Sequence, residues 1–300
     1  MAVMTGTEPQ IGAAPSKARR FRRPRNLFGL VVGGGIVLLV IVCAFAAGIV
    51  SPHNPYAGNL LDRLNPPAWM PGGSMQNLLG ADEVGRDLLS RIIYGARVSL
   101  LVSTAAVAMS LVIGVTLWLA AGYFGGFVET VVMRLVDVTL GFPFVLVAIM
   151  VVALWGPGLG KLILVLGGTG WAAFARIVRA EVLSLKRREF VEAARAVGAG
   201  NGRILLRHIF PQVLPSVIVV STISIATNIL LESGLSYIGL GVEPTIPSWG
   251  GMLADGQLYI TTAWWVATFP GLAIMITVLG FNLLGDWVRD YFDPHLQNVG

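Results

Sequence analysis

Long stretches without a single charge constrain this chain more than any other feature. Leu27 to Val50, Val98 to Val128, Val138 to Gly160, Ile209 to Leu231 and Gly256 to Gly285 contain no Asp, Glu, Lys or Arg. A helix needs about 20 apolar residues to cross about 30 Å of hydrocarbon, so each run is long enough to span a bilayer. A sixth segment, "KLILVLGGTGWAAFARIVRA" (161–180), is studded with glycine, which suits a helix packed closely against other helices. Charged residues make up 12% of the chain and hydrophobic residues 55%, where soluble domains carry about 25% charge. The expectation is an all-α integral membrane protein with six transmembrane helices.

The remaining charges lie in blocks. "KARRFRRPR" (17–25) places six positive charges directly before the first run. Positive juxtamembrane segments stay in the cytoplasm, which puts the N-terminus there and, with six spans, the C-terminus as well. On this topology the cytoplasmic segments 1–26, 122–134, 176–208 and 286–300 carry 16 Lys and Arg, and the outer segments carry five. A missed or extra span would place the largest basic block outside. The expected organisation is a basic, aperiodic N-terminus (1–26), a first span (27–50), an extracytoplasmic segment (51–97), a five-helix core (98–288) and a cytoplasmic tail (289–300). A cleaved secretory signal ending at Ala44-Phe45-Ala46 is the rival reading of the N-terminus, but its apolar region is longer than the 7 to 15 residues such signals use.

Within 51–97, the proline-rich "SPHNPYAGNLLDRLNPPAWMPGG" reads as loop. The spacing of Leu88, Leu89, Ile92 and Ile93 predicts a short amphipathic helix feeding the second span. The single cysteine, Cys43, lies in an apolar run and excludes an intramolecular disulfide. His53, His208 and His295 show no metal-binding spacing, and no "GxxxxGK[ST]" phosphate loop is present. The chain therefore has no cradle of that kind for ATP.

The stretch 181–211, "EVLSLKRREFVEAARAVGAGNGRILLRHIFP", is polar and basic between two apolar segments. Arg188 to Val197 are helix formers, and "GAGNG" (198–202) stops the helix. Phe190, Ala193, Ala194 and Val197 fall on one face, and Arg188, Glu192 and Arg195 on another. A loop needed only for its charge does not require such an element, so the pattern predicts a docking helix with a glycine exit.

These residues resemble a known family. Glu192-Ala193-Ala194, Gly198 and Ile209-Phe210-Pro211 are similar to the "EAA---G---------I-LP" loop of bacterial ABC importer permeases, with Phe210 in place of leucine. "LGADEVGRDLLSRIIYGARVSL" (79–100) resembles an element of the subfamily that imports dipeptides, oligopeptides and nickel, with Ala81 where threonine is usual. "LSYIGLGVEPTIPSWGGML" (235–253) and "NLLGDWVRDYFDP" (282–294) resemble two more, with Tyr237 where phenylalanine is usual. The match runs from about residue 80 to 294 and is nearest to the dipeptide permeases.

The resemblance implies a type I importer permease fold and an assembly with a second, homologous permease subunit, two ATP-binding subunits that carry ATP and Mg, and an extracytoplasmic binding protein. It implies that a helix within 189–201 couples to an ATPase subunit through Glu189, Phe190, Glu192, Ala193, Ala194, Arg195, Val197, Gly198 and Ala199. No catalytic residue, cofactor, metal or nucleic-acid partner is expected for the chain itself. Two ionisable residues are candidates for a pathway or gate. Asp137 lies three residues after Arg134, close enough to pair on one helix face, and the family has a comparable Arg, Asp and downstream proline, here Arg134, Asp137 and Pro143. Glu232, at the outer end of the fifth span, either lines the outer mouth or marks the interface. Asp82, Glu83, Arg86, Asp87 and Arg91 form a mixed cluster that either receives the binding protein or pairs internally. Trp249, Trp264 and Trp265 are placed at the outer interface. A nickel or haem cargo, a secondary transporter and a membrane protease are the alternatives weighed. The spans lack a clear mid-membrane charge for a secondary transporter, and paired catalytic aspartates or metal ligands for a protease.

Overall fold

The computed structural model describes residues 27–292. The basic N-terminus and the last eight residues, with the expectations attached to them, lie outside the described residues.

Nine helices organise the described chain: α1 (Gly29–Phe45), α2 (Leu88–Phe124), α3 (Gly126–Gly141), α4 (Phe144–Trp155), α5 (Leu159–Leu185), α6 (Glu189–Ala196), α7 (Asn201–Tyr237), α8 (Trp249–Gln257) and α9 (Trp265–Phe292). Four of them, α2, α5, α7 and α9, are long and apolar enough to cross a bilayer alone. α3 and α4 satisfy the same test together, bent by 82°. α1 is apolar but shorter, and a helical turn at Ala47–Val50 continues it past a break at Ala46. Each of the six expected segments thus holds helix.

Where the boundaries differ, backbone chemistry explains most of the change. The amphipathic turn at Leu88 is not a separate helix but the start of α2, so the expected division at residue 97 falls inside a helix. α2 ends at Phe124 rather than Val128 because Gly125 and Gly126 take φ of +71° and +59°, a region that glycine enters without steric cost. α3 and α4 are separated at Phe142 (φ −89°, ψ 127°), the extended conformation that a following proline favours. The expected span 256–285 divides into α8 and α9, with hydrogen-bonded turns over 259–263 between them. No charge or proline marks that break in the sequence. The division expected at 288 likewise falls inside α9.

Close packing rests on small residues. Among the described residues, α2 and α5 form the most extensive seam. A Cβ on Gly114 would lie 2.7 Å from the Trp171 carbonyl oxygen, and one on Gly167 would lie 2.9 Å from the Met109 Cβ. Ser110 Oγ donates to the Gly167 carbonyl at 2.9 Å. The "GGTG" cluster is therefore a packing surface, as small residues are in bilayers, where lipid is as apolar as the helices and contact must come from fit. Gly29 and Gly33 of α1 meet Leu283 and Leu284 of α9 in the same way.

At the end of the bundle bearing the long loop, Asp82 is the organiser. Its carboxylate accepts from the Val84 and Arg86 amides at 2.9 Å each, from Arg86 Nε at 2.6 Å, and from Arg91. Asp82 and Arg91 are 1% and 3% exposed, so the mixed cluster pairs internally. Trp249 and Trp265 are also interior: their indoles donate to the Ile92 and Ala81 carbonyls, which pins α8 and α9 to the α2 entry. Only Trp264 of the three tryptophans is exposed.

Candidate functional site

The strongest site candidate is the short helix α6 and the loops that hold it. α5 runs to Leu185, Lys186 to Arg188 turn the chain, and Arg188 caps α6 in an extended conformation. Glu189 and Glu192 sit in its first turn and Arg195 in its last, the arrangement that complements the helix dipole. The helix closes through Gly198, at φ +80°, with the Gly198 and Ala199 amides donating to the Arg195 and Ala194 carbonyls at 2.9 and 3.0 Å. A Cβ at Gly198 would meet nothing within 4 Å, so its backbone conformation, and not space, selects glycine here.

The apolar face grouped from the sequence divides in the structure. Val191 and Ala194 pack into the bundle, while Phe190, Ala193 and Val197 are exposed, Val197 by 85%. Val191 and Ala194 belong to the same buried cluster as Ile204, Ile209 and residues of α2 and α5, and the segment Ile204–Ile209 packs directly on the helix. What stays outward is an apolar pair, Phe190 and Val197, flanked by Glu189, Glu192 and Arg195, with Ala199 half-buried.

Sequence reasoning missed the residue that anchors this element. Tyr123, at the end of α2 and 4% exposed, donates from its hydroxyl to Asn201 Oδ1 at 2.8 Å. Lys186 Nζ donates to its carbonyl oxygen, and Lys186 and Arg195 both lie over its ring, at 5.4 and 5.9 Å from the centroid. One aromatic side chain thus joins both arms of the α6 loop to α2. The only advance signal was a lone tyrosine beside the glycines that end the span.

The two ionisable candidates are placed differently from the expectation. Asp137 does not pair with Arg134; its carboxylate lies 3.9 Å from Arg176 of α5, and both side chains are about half exposed. The better pair is Glu129 with Arg179, where Nε and Nη2 donate to one carboxylate oxygen at 2.9 and 2.7 Å and the guanidinium lies over the Trp118 ring. Glu232 is 0% exposed and lines no mouth. Ser99 of α2 and Ser236 donate to its two oxygens at 2.9 and 2.8 Å, which joins α2 to α7. Glu232 and Asp137 are far apart in sequence, and no contact unites them.

A bundle of apolar spans carrying a short polar helix at one end is the architecture of a multi-pass membrane permease. The chain belongs to the family of binding-protein-dependent transport system inner membrane components, whose family model matches residues 110–298. It is 46% identical to the dipeptide transport system permease protein DppC of Escherichia coli K12, over 90% of each chain. It is 42% identical to the di/tripeptide transport system permease protein DppC of Pseudomonas aeruginosa, over 89% of this chain and 88% of that one. It is 41% identical to the glutathione transport system permease protein GsiD of Pectobacterium atrosepticum, over 93% and 90%. Among solved structures, an inward-facing form of the MetNI methionine ABC transporter aligns with TM-score 0.55 and 19% identity, covering 66% of this chain and 94% of that one. The fold is that of a type I ABC importer permease.

Proposed function

We propose that the chain is the peptide-conducting permease subunit of an ATP-driven importer in a bacterial inner membrane, with both termini cytoplasmic. It pairs with a second, homologous permease subunit to form the pathway. Two ATP-binding subunits, which hold ATP and Mg, dock at the α6 end, and an extracytoplasmic binding protein delivers dipeptides or oligopeptides at the other. This chain hydrolyses nothing and binds no cofactor or metal of its own.

The observation that carries this reading is the form of α6. It is fastened through Val191, Ala194 and the Tyr123 anchor, yet it leaves Phe190, Ala193, Val197, Glu189 and Glu192 outward. A helix rigidly joined to two spans, with an apolar pair facing away from them, transmits a partner's movement as a rigid-body displacement. Peptide cargo is supported by the names of the relatives above.

The test is reconstitution of the chain with its partner subunits and binding protein in vesicles, followed by uptake of labelled alanyl-alanine. Uptake that requires ATP, and that nickel and haem do not compete, is expected. Uptake by this chain with no ATPase subunit present would overturn the reading in favour of a secondary transporter. Glu192→Lys should leave the chain in the membrane but weaken capture of the ATPase subunit; wild-type capture and uptake would remove α6 from the mechanism.

A further inference from the structure

The start of α1 meets the last turns of α9 at the end of the bundle opposite the long loop. α1 comes close there because it presents no side chain: a Cβ on Gly29 would lie 2.9 Å from the Leu283 carbonyl oxygen and 3.5 Å from the Trp287 Cβ. Beside this contact is a cavity of about 180 Å³, lined by Phe28, Gly29, Leu283, Asp286 and Trp287. A single water needs only about 10–15 Å³.

Two polar groups of that lining are left over. The Trp287 indole N–H is buried and donates to no described group, although its ring is held by stacking on Tyr291, 5.6 Å away between centroids. Asp286 is exposed, and no described residue pairs with its carboxylate. Trp287 lies about 33 Å along α9 from its first residue, Trp265, at about 1.5 Å per residue. Hydrocarbon is about 30 Å thick, so the cavity sits at the level of the lipid headgroups. An indole at that level ordinarily turns its N–H to a wet partner. Water alone suits the space poorly, since a bound water wants about two to four polar partners and Phe28 and Leu283 make much of the wall apolar.

We infer that the cavity seats the headgroup of one phosphatidylethanolamine molecule, with its ammonium on Asp286, a phosphodiester oxygen accepting from the Trp287 indole, and its acyl chains leaving past exposed Phe28. Both polar groups enter the choice. Phosphatidylglycerol would set an anion beside Asp286 with no cation to offset it, and phosphatidylcholine has a cation but no N–H to donate. The seated lipid bridges the first span and the last. The inference needs only that α9 crosses the bilayer, and it stands apart from cargo and from ATPase docking.

The experiment uses the complex of the chain with its partner subunits, in maltoside micelles freed of lipid, and phosphatidylethanolamine with a photoreactive group on its acyl chain. Irradiation and peptide mapping should place adducts on 27–29 and 283–287. Phosphatidylglycerol with the same chain should give about tenfold less adduct there, the worth of one charge-assisted contact. Unlabelled phosphatidylethanolamine should displace the probe, and glycerophosphoethanolamine, which lacks the chains, should not at the same concentration. Trp287→Phe keeps a ring and removes the N–H, so the probe concentration for half-maximal adduct should rise about tenfold. Asp286→Asn should bring the two lipids to near-equal capture, and because Asp286 is exposed this variant tests the site whatever Trp287→Phe does to stability. Trp264→Phe, at the other end of α9, should change nothing. Equal capture of the two lipids by the wild-type chain, adducts that map elsewhere, or unchanged capture in both Trp287→Phe and Asp286→Asn would overturn the inference. A carbodiimide cross-link from Asp286 to Lys17 that lipid does not suppress would assign the cavity to the chain's own basic segment and overturn it as well.

Discussion

Arg179 donates through both Nε and Nη2 to a single oxygen of Glu129, so one bidentate ion pair fastens α3 to the helix that leads into α6. α3 is otherwise lightly held, since only Val132 and Val136 on it are buried and it begins at two glycines of positive φ.

Glu129→Gln should therefore loosen α3 without unfolding the bundle. The arginine is about a third exposed and the pair is discounted accordingly, to about 1 kcal/mol. Hydrogen exchange should accelerate over residues 126–141 and stay unchanged in α2 and α5. Uniform acceleration across the protein would show that the pair serves global stability.

Gly198→Val should strain the exit of α6. An L side chain in the left-handed region costs about 1–2 kcal/mol, and no neighbour blocks it, so the cost is conformational alone. The variant should insert and melt only slightly below wild type, while capture of an ATPase subunit weakens. Gly202→Val, at a position with open space and no positive φ, is the control and should cost less.

Gly167→Leu should damage the α2 to α5 seam. Its side chain would start 2.8 to 3.0 Å from Met109, and overpacking of this kind costs about 1–3 kcal/mol or more. Detergent-solubilised protein should show a lowered melting temperature and increased proteolysis. Gly168→Leu, on the open side of the same helix, should show neither.

The long loop should open in acid. Burial pushes the Asp82 carboxyl upward, but Arg91, the Arg86 amide and the Arg86 guanidinium outweigh it and hold the group below the usual carboxylate range. A depressed acid stabilises the fold while ionised, so its contribution is present above the unfolded value of about 3.9 and is lost as pH falls below that. Asp82→Asn should remove this pH dependence and destabilise the loop at neutral pH by about 3 kcal/mol, because buried Arg91 would keep only the Asp255 carboxylate, 3.9 Å away. Limited proteolysis of residues 51–87 against pH reads both effects.

Much of the fold was legible because hydrocarbon imposes a simple rule on sequence. Six apolar segments could be counted, and the helix at 189–196 followed from its formers and from the glycines that end it. The family motifs pointed to residues of α6, where the structure exposes Phe190, Ala193 and Val197 and buries Ala194. They did not say which of its faces is free, since Phe190 and Val191 are both apolar neighbours and only the position of Ile204 and Ile209 selects Val191 for burial.

The ionisable residues divide in the same way. Asp137 was legible as unusual within a span, yet its partner is Arg176 on another helix rather than Arg134 on its own. Glu232 stands near the end of an apolar run, where exposure was a fair expectation, and it is enclosed because Ser99 reaches it from a helix 133 residues earlier in the chain.

By itself, then, the sequence determined that this protein is a helical membrane protein, since length and absence of charge decide whether a segment can leave water, and both are local properties; its permease family is carried by the motifs and the relatives that share them. The tertiary structure decided the 82° bend between α3 and α4, the Tyr123 anchor, the exposed face of α6 and the meeting of Asp137 with Arg176. Those depend on which helices approach one another, and in a bilayer that choice is made by the fit of small residues such as Gly114 and Gly167 across a seam.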